Sequence, residues 1–244
     1  MPTCSGAKAA AASGLPGPQA PAAEGGTAAD PLAGTLRLNE IFHSIQGEST
    51  WAGVPCVFVR LTGCPLRCTY CDTEYAFREG GTATVGEVVD RVAAFGCPLV
   101  ELTGGEPLAQ KRAFDLVRAL CDRGLTVLIE TSGAVDISPC DPRSIRILDV
   151  KTPGSGESAR NRLGNFTSSR AFVAEHGLAE RVAAGRLGAV LMSPAWEQPA
   201  GQEIAGCAGL APRELARWIL EDRLPVRMQS QLHKVIWDPR TRGV

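Results

Sequence analysis

From Leu36 to Lys151 short apolar runs alternate with amphipathic stretches. VPCVFVRLTG, from Val54, is apolar and rich in β-branched residues, and reads as a buried strand that stops at Gly63. LRLNEIF, from Leu36, alternates loosely and reads as a strand before it. TVGEVVDRVAAFG, Thr84 to Gly96, spaces its apolar residues for a helix, with Thr84 as N-cap and Glu87 three residues later. PLVELTGGEP is a strand running into a glycine turn, and LAQKRAFDLVRALCDRG is a helix closed by Gly124. LTVLIETSG and SIRILDVK are two further strands. Beyond Lys151 the pattern loosens. SGESARNRLGNF is polar and loop-like, AFVAEHGLAERVAAG is helical, and LGAVLMSP is a short strand. APRELARWILEDRLP is a strong helix with Pro212 near its start, and VRMQSQLHKVIW alternates as a final strand.

Strands alternating with helices predict an α/β fold with a mostly parallel sheet. Right-handed crossovers bring the C-terminal ends of such strands to one edge, where ligands bind. CPLRCTYCD, TGGEP, ETSG and DVKTPGSG each follow a predicted strand, so these four loops are expected to meet at one mouth. Residues 1–34 are mostly Ala, Gly, Pro and Ser without apolar periodicity, and are expected to form a disordered tail before a single domain, 35–244.

Composition narrows the function by exclusion. The net charge of −1 gives no electrostatic reason for a nucleic acid or an anionic membrane as partner. No apolar run approaches the roughly 18–20 residues that span a bilayer, and the N-terminus lacks the plan of a secretory signal. A cytoplasmic protein is expected. Nine cysteines are present, and three crowd into CPLRCTYC as Cys64, Cys68 and Cys71. The other six are scattered and read as small buried hydrophobes or inert thiols. Three thiolates on one short loop suit a soft metal centre. Structural zinc normally takes four protein ligands, and no second cysteine pair at zinc-finger spacing occurs. A four-iron cube held by three cysteines would keep one iron open for a substrate's amino and carboxylate groups.

The spacing CxxxCxxC after a strand, with Tyr70 before the last cysteine, resembles the S-adenosylmethionine radical superfamily. NEIFHSIQGEST, GVPCVFVRLTGCPLRCTYCDTEYAF and LTGGEPLAQ together resemble the 7-carboxy-7-deazaguanine synthase family. That resemblance implies a partial (βα) barrel and a radical lyase. Its reaction would contract the ring of 6-carboxy-5,6,7,8-tetrahydropterin and release ammonia, in queuosine and 7-deazapurine biosynthesis. It implies a 4Fe–4S cluster, S-adenosylmethionine and Mg2+ as cofactors. It also implies a flavodoxin or ferredoxin as electron donor, and a homodimer.

By position the resemblance assigns Cys64, Cys68 and Cys71 to the cluster, and Thr73 to magnesium. A lone hydroxyl is a poor site for an ion that wants about six oxygens, so substrate and water would complete it. Tyr70, Cys71, Asp72, Gly105, Glu106, Ser132, Asp149, Val150, Lys151 and Ser193 are assigned to S-adenosylmethionine, with Glu106 meeting its ammonium group. Glu130 falls among the same strand-end positions. Ile45, Gln46, Gly47, Arg60, Thr103, His233 and Val244 are assigned to the pterin. Gly47 would let backbone approach a flat ring, Gln46 would offer donor and acceptor, and Arg60 would grip the carboxylate. Two departures stand out. Many members have Ser and Pro where this chain has Asp149 and Val150. Near residues 165–170 an apolar strand of the family is missing, so the barrel is expected to be short by a strand or to open further.

Overall fold

The computed structural model describes residues 30–162, 182–185, 188–195, 209–238 and 241–244. The expected tail as far as residue 29, the departure at 165–170 and most of the helix AFVAEHGLAERVAAG lie outside the described residues. The 3-10 turn Pro31–Ala33, capped by Asp30, already precedes the expected domain start.

Six strands form one open sheet: β1 (Thr35–Ile45), β2 (Pro55–Leu61), β3 (Gly81–Thr84), β4 (Leu99–Gly104), β5 (Thr126–Thr131) and β6 (Ile145–Leu148). Their order is β3-β1-β2-β4-β5-β6, a partial barrel with two edges. β2, β4, β5 and β6 run parallel, as expected. β1 departs from that scheme and pairs antiparallel with β2 and with β3. β3 was not legible as a strand, because GTAT is short and half exposed.

Alternation divides each central strand between two faces. Val57, Val59, Leu61, Val100, Leu102, Val127 and Ile129 are at most 1% exposed. They form one core with Val85, Val88, Val89 and Val92 of α1 (Val85–Ala93) and with Leu116, Val117 and Leu120 of α2 (Ala113–Asp122). Fully burying one such side chain stabilises the fold by roughly 1.5–3 kcal/mol. The other face carries Phe58, Arg60, Glu101, Thr103 and Glu130 toward a cleft.

α1 starts as its sequence predicts. Thr84 Oγ1 accepts from Glu87 N at 3.1 Å, and Glu87 Oε2 accepts from Thr84 N at 2.7 Å. α2 starts later than expected. Pro107–Ala109 is a separate 3-10 turn, and Gln110 leaves it in extended conformation. The Gln110 amide is committed elsewhere: it accepts from Arg37 N at 2.8 Å and donates to Arg37 O and Thr62 O. Gly124, at φ +78°, ends α2.

The chain's last part corrects one expectation. VRMQSQLHKVIW is not a strand throughout. Only β8 (Arg227–Met228) pairs, with β7 (Leu191–Met192), and the chain then turns into a helix, Leu232–Ile236. Leu232 N donates to Gly47 O at 2.9 Å, and Lys234 N to Gln231 O at 3.0 Å. Docking on the β1–β2 loop thus overrides an alternation for which the described residues offer no neighbouring strand.

Candidate active site

The four expected loops do meet. They line one cleft of about 1560 Å³ together with the β1–β2 loop, the segment around Ser193 and the final helix. Every residue assigned above lines this cleft except Glu106.

The cysteine loop is held from several sides. Leu66, 1% exposed, anchors it in the protein, and its N–H donates to Cys64 Sγ at 3.4 Å. Arg67 N donates to Glu157 Oε1 at 2.7 Å, and the Arg67 guanidinium lies 4.3 Å from the Phe77 ring centre. Thr69 binds the loop after β6 twice, N to Ser155 O at 3.0 Å and Oγ1 to Gly154 O at 2.7 Å. The β4 turn presses against the same loop. A Cβ on Gly104 would meet Leu61 O at 2.2 Å, and one on Gly105 would meet Gly63 O at 2.3 Å and Cys64 Cβ at 2.8 Å. Gly104 therefore serves the close approach of β4 to the end of β2, and Gly105 that of the turn to the start of the cysteine loop.

Cys64, Cys68 and Cys71 are free thiols, each partly buried. Burial pushes Cys71 up to about 11, with the negative charges of Asp72, Cys68 and Cys64 adding to it. Burial raises Cys64 and Cys68 in the same way. Three thiolates so placed repel one another unless a cationic centre lies between them. Among the described residues no group of three His, Cys, Asp or Glu side chains is gathered closely enough for a single ion. A four-iron cube takes its thiolates on separate corners and leaves one iron without a protein ligand, which three cysteines on one loop fit. Among the described residues no fourth cysteine lines the cleft.

Glu106 occupies a different place from the one expected. It is 1% exposed, and its carboxylate accepts from Leu108 N (3.1 Å), Thr131 Oγ1 (2.8 Å), Ser132 N (2.9 Å) and Ser132 Oγ (2.5 Å). It caps the turn after β4 and ties it to the end of β5. Ser132 is thereby oriented, and its Oγ is already a donor to protein.

On the opposite wall, Gln46 N donates to Val54 O and Gly53 N to Gln46 O, both at 2.8 Å, closing the β1–β2 loop. Gly47 does approach a flat ring, but that ring is His233: a Cβ would meet His233 Nδ1 at 2.0 Å. Burial and the neighbouring Lys234 hold His233 below its usual value, so it is a neutral imidazole at pH 7. Lys234 Nζ pairs with Asp72 Oδ2 at 2.6 Å. The crowded cleft works against the Asp72 charge, but Lys234 prevails and pulls its carboxyl below the usual range. Asp72 Oδ1 accepts from Thr73 Oγ1 at 2.9 Å, which leaves the Thr73 oxygen its lone pairs.

Arg60 Nε donates to Glu40 Oε1 at 2.8 Å, and Tyr75 Oη donates to the same oxygen at 2.9 Å. Nε is thus fixed, and the guanidinium presents its Nη edge as the remaining donor set. A Cβ on Gly243 would lie 3.7 Å from Glu40 Oε2, the partner of Arg60, and Val244 lines the cleft. Beyond β6, Asp149 N donates to Thr131 O at 2.9 Å, and Asp149 and Lys151 form an ion pair. Burial opposes the Lys151 charge and Asp149 overcomes it, so the ammonium persists. Val150, Ser193, Tyr70 and Ile45 line the cleft without further distinction.

Glu101 escaped the sequence reading. A carboxylate inside the apolar strand LVELTG breaks the pattern, and that break was the available signal. Glu130 raises both Glu48 and Glu101, and Glu48 adds to the rise of Glu101, whereas the hydrogen bond from Glu101 lowers Glu130. Burial, then Glu130 and Asp72, push Glu48 up to about 8.

A partial barrel with a three-cysteine loop at the C-terminal ends of its strands defines the class, and residues 58–149 match the family model described as the Radical SAM superfamily. The chain is 43% identical over 231 residues to 7-carboxy-7-deazaguanine synthase of Chlorobaculum tepidum, covering 86% of this chain and 97% of that protein. It is 39% identical over 233 residues to the protein of that name from Koribacter versatilis, covering 86% and 100%. The crystal structure of QueE from Escherichia coli shares the fold, with a TM-score of 0.56 at 22% identity over 82% of this chain and 95% of that one. The chain belongs to the 7-carboxy-7-deazaguanine synthase family.

Proposed function

We propose that the protein is a radical carbon–nitrogen lyase that converts 6-carboxy-5,6,7,8-tetrahydropterin to 7-carboxy-7-deazaguanine and ammonia, in queuosine and 7-deazapurine biosynthesis. The observation that carries this reading is the single cleft. It joins the three cysteines to the β1–β2 loop, Arg60, Thr103 and the final helix in a chain of this family.

Cys64, Cys68 and Cys71 would hold a 4Fe–4S cluster, which when bound supplies the electron that cleaves S-adenosylmethionine to a 5′-deoxyadenosyl radical. The chain's own work is positioning and charge. Tyr70, Cys71, Asp72, Gly105, Ser132, Asp149, Val150, Lys151 and Ser193 form the wall for S-adenosylmethionine. Glu106 acts behind that wall by holding Ser132. Ile45, Gln46, Gly47 and Thr103 face the pterin ring. Arg60 offers its Nη edge to the substrate carboxylate, and neutral His233 donates to it. Val244 closes that end of the pocket. Thr73 supplies one oxygen to Mg2+, with substrate and water completing the shell. The ion would offset charge on the carboxylate.

A flavodoxin or ferredoxin serves as electron donor, and the enzyme works as a cytoplasmic homodimer. In the described residues no helix is long and apolar enough to cross a membrane. The test is an anaerobic assay of reconstituted protein with reductant, S-adenosylmethionine, magnesium and 6-carboxytetrahydropterin, read by mass spectrometry. Formation of 7-carboxy-7-deazaguanine, abolished by Cys68→Ala, is expected. 5′-Deoxyadenosine without that product would mean a different substrate.

A further inference from the structure

Glu101 sits mid-strand on β4, facing the cleft, and is 2% exposed. None of the roles above uses it. Its carboxyl has two partners. Gln46 Nε2 donates to Glu101 Oε2, and the carboxyls of Glu101 and Glu130 hydrogen-bond to each other across β4 and β5. Two carboxylates in such contact, one buried and one half-buried, do not both ionise, so the pair holds a proton between them. Burial and then Glu130 drive Glu101 well above the usual range. Burial and Asp149 raise Glu130, whereas the hydrogen bonds from Glu101 and Thr103 oppose that rise. The pair therefore holds one proton, and in the form with that proton on Glu101 the charge lies on Glu130.

The partners are themselves fixed at their far ends. Gln46 Oε1 accepts from Glu48 N at 3.1 Å, which sets which end of the amide faces Glu101. Thr103 Oγ1 donates to Glu130 Oε2 at 3.1 Å. A continuous chain of hydrogen bonds thus runs from the β1–β2 loop through β4 to β5. What remains for a ligand is one Gln46 N–H, one Gln46 oxygen lone pair and the outward side of the Glu130 carboxylate. These groups face a flat heterocycle with both donors and acceptors along its edge.

We propose that Glu101 is a positioning residue, which locks the Gln46 amide and the Glu130 carboxylate into one edge that recognises the amino-pyrimidinone side of the substrate ring. The inference rests on the pterin reading above and names the group that enforces it. In its protonated form Glu101 is both the acceptor for Gln46 and the donor to Glu130. A glutamine reproduces both roles, its amide oxygen facing Gln46 and its nitrogen facing Glu130. A leucine reproduces neither, at similar volume.

The test compares wild type, Glu101→Gln and Glu101→Leu as reconstituted enzymes under anaerobic conditions. Calorimetry measures 6-carboxytetrahydropterin binding, and steady-state assays separate KM from kcat. Glu101→Gln is expected to bind as wild type does. Glu101→Leu is expected to weaken binding and raise KM by about 10- to 100-fold, as for loss of hydrogen bonds to a charged group, with S-adenosylmethionine affinity unchanged. Wild-type affinity in Glu101→Leu overturns the proposal, as does an equal loss in Glu101→Gln. If Glu101→Leu does not fold, Glu101→Asp replaces it. That variant keeps the acid but shortens its reach, and unchanged binding there overturns the proposal too. A wild-type protein that binds S-adenosylmethionine but no pterin overturns the substrate reading, and this inference falls with it.

Discussion

The two faces of β2, β4 and β5 are built from alternate residues of the same segments, yet they differ in kind. On the helix side Val57, Val59, Val100, Leu102, Val127 and Ile129 are at most 1% exposed and belong to one apolar core. On the cleft side Arg60, Glu101, Thr103 and Glu130 take the intervening positions. One face supplies hydrophobic stabilisation. The other carries buried polar groups whose partners must all be present for the burial to be tolerated. Such a division lets the site be rich in titratable groups without weakening the core that holds it. It also makes each strand a rigid mount, since a cleft residue shifts only if its apolar neighbours shift with it.

The division is tested most strongly by one substitution on each side. Leu102→Ala is expected to cost about 2–5 kcal/mol of stability, the range for a leucine truncated in a packed core. Cys68→Ala, in a partly exposed loop, is expected to abolish activity and to leave stability of the metal-free protein within about 0.5 kcal/mol. Urea unfolding of the two variants against wild type measures both. A loss in Cys68→Ala as large as that in Leu102→Ala would place the cysteine loop in the folding core and erase the distinction.

The helix side was the more legible in sequence, for a physical reason. Period and capping are local, so β2, β4, β5, β6 and α1 could be read directly, down to the Thr84–Glu87 box. The cysteine loop was legible because three thiols at that spacing have few uses. Long-range partners were hidden. Gln110 ends the turn before α2 by reaching Arg37, 73 residues away. Glu106 looks like an ammonium partner until Ser132 and Thr131 are seen to consume its oxygens. Nothing in the sequence tells that Gly47 also packs against the His233 ring, 186 residues further along the chain. The final segment alternates like a strand, but its partner is the loop after β1.

The cleft side also has a pH signature that the helix side lacks. Burial, then Glu130 and Asp72, push Glu48 up to about 8, against 4.5 for an unperturbed glutamate. Between those values the folded chain holds a proton that the unfolded chain has released, so the contribution of Glu48 to stability falls as pH rises. Denaturant unfolding at pH 5.5 and at pH 8.5 is therefore expected to show lower stability at the higher pH. Glu48→Gln keeps the neutral form at both and is expected to flatten that slope. A slope that persists unchanged in Glu48→Gln would move the proton to Glu101 and Glu130, still on the cleft side. A slope absent from wild type would show that the three carboxyls titrate in the folded chain as they do in the unfolded one.

The smallest effect probes whether the faces communicate at all. Thr84 joins β3 to α1: it pairs with Thr35 in the sheet, and its side chain accepts from Glu87 N. Thr84→Ala removes the side-chain half of the capping box and is expected to cost about 1 kcal/mol, seen as an earlier urea midpoint with an unchanged slope. Glu87→Gln retains the reciprocal hydrogen bond to Thr84 N and should cost less. Because α1 packs on the face away from the cleft, KM for the pterin is expected to stay at its wild-type value in both variants. A rise in KM that tracks the loss of stability would mean that strain on the helix side reaches Arg60 and Glu101 through the strands. The faces would then be one cooperative unit, and substitutions in the core would belong among the means of tuning the site.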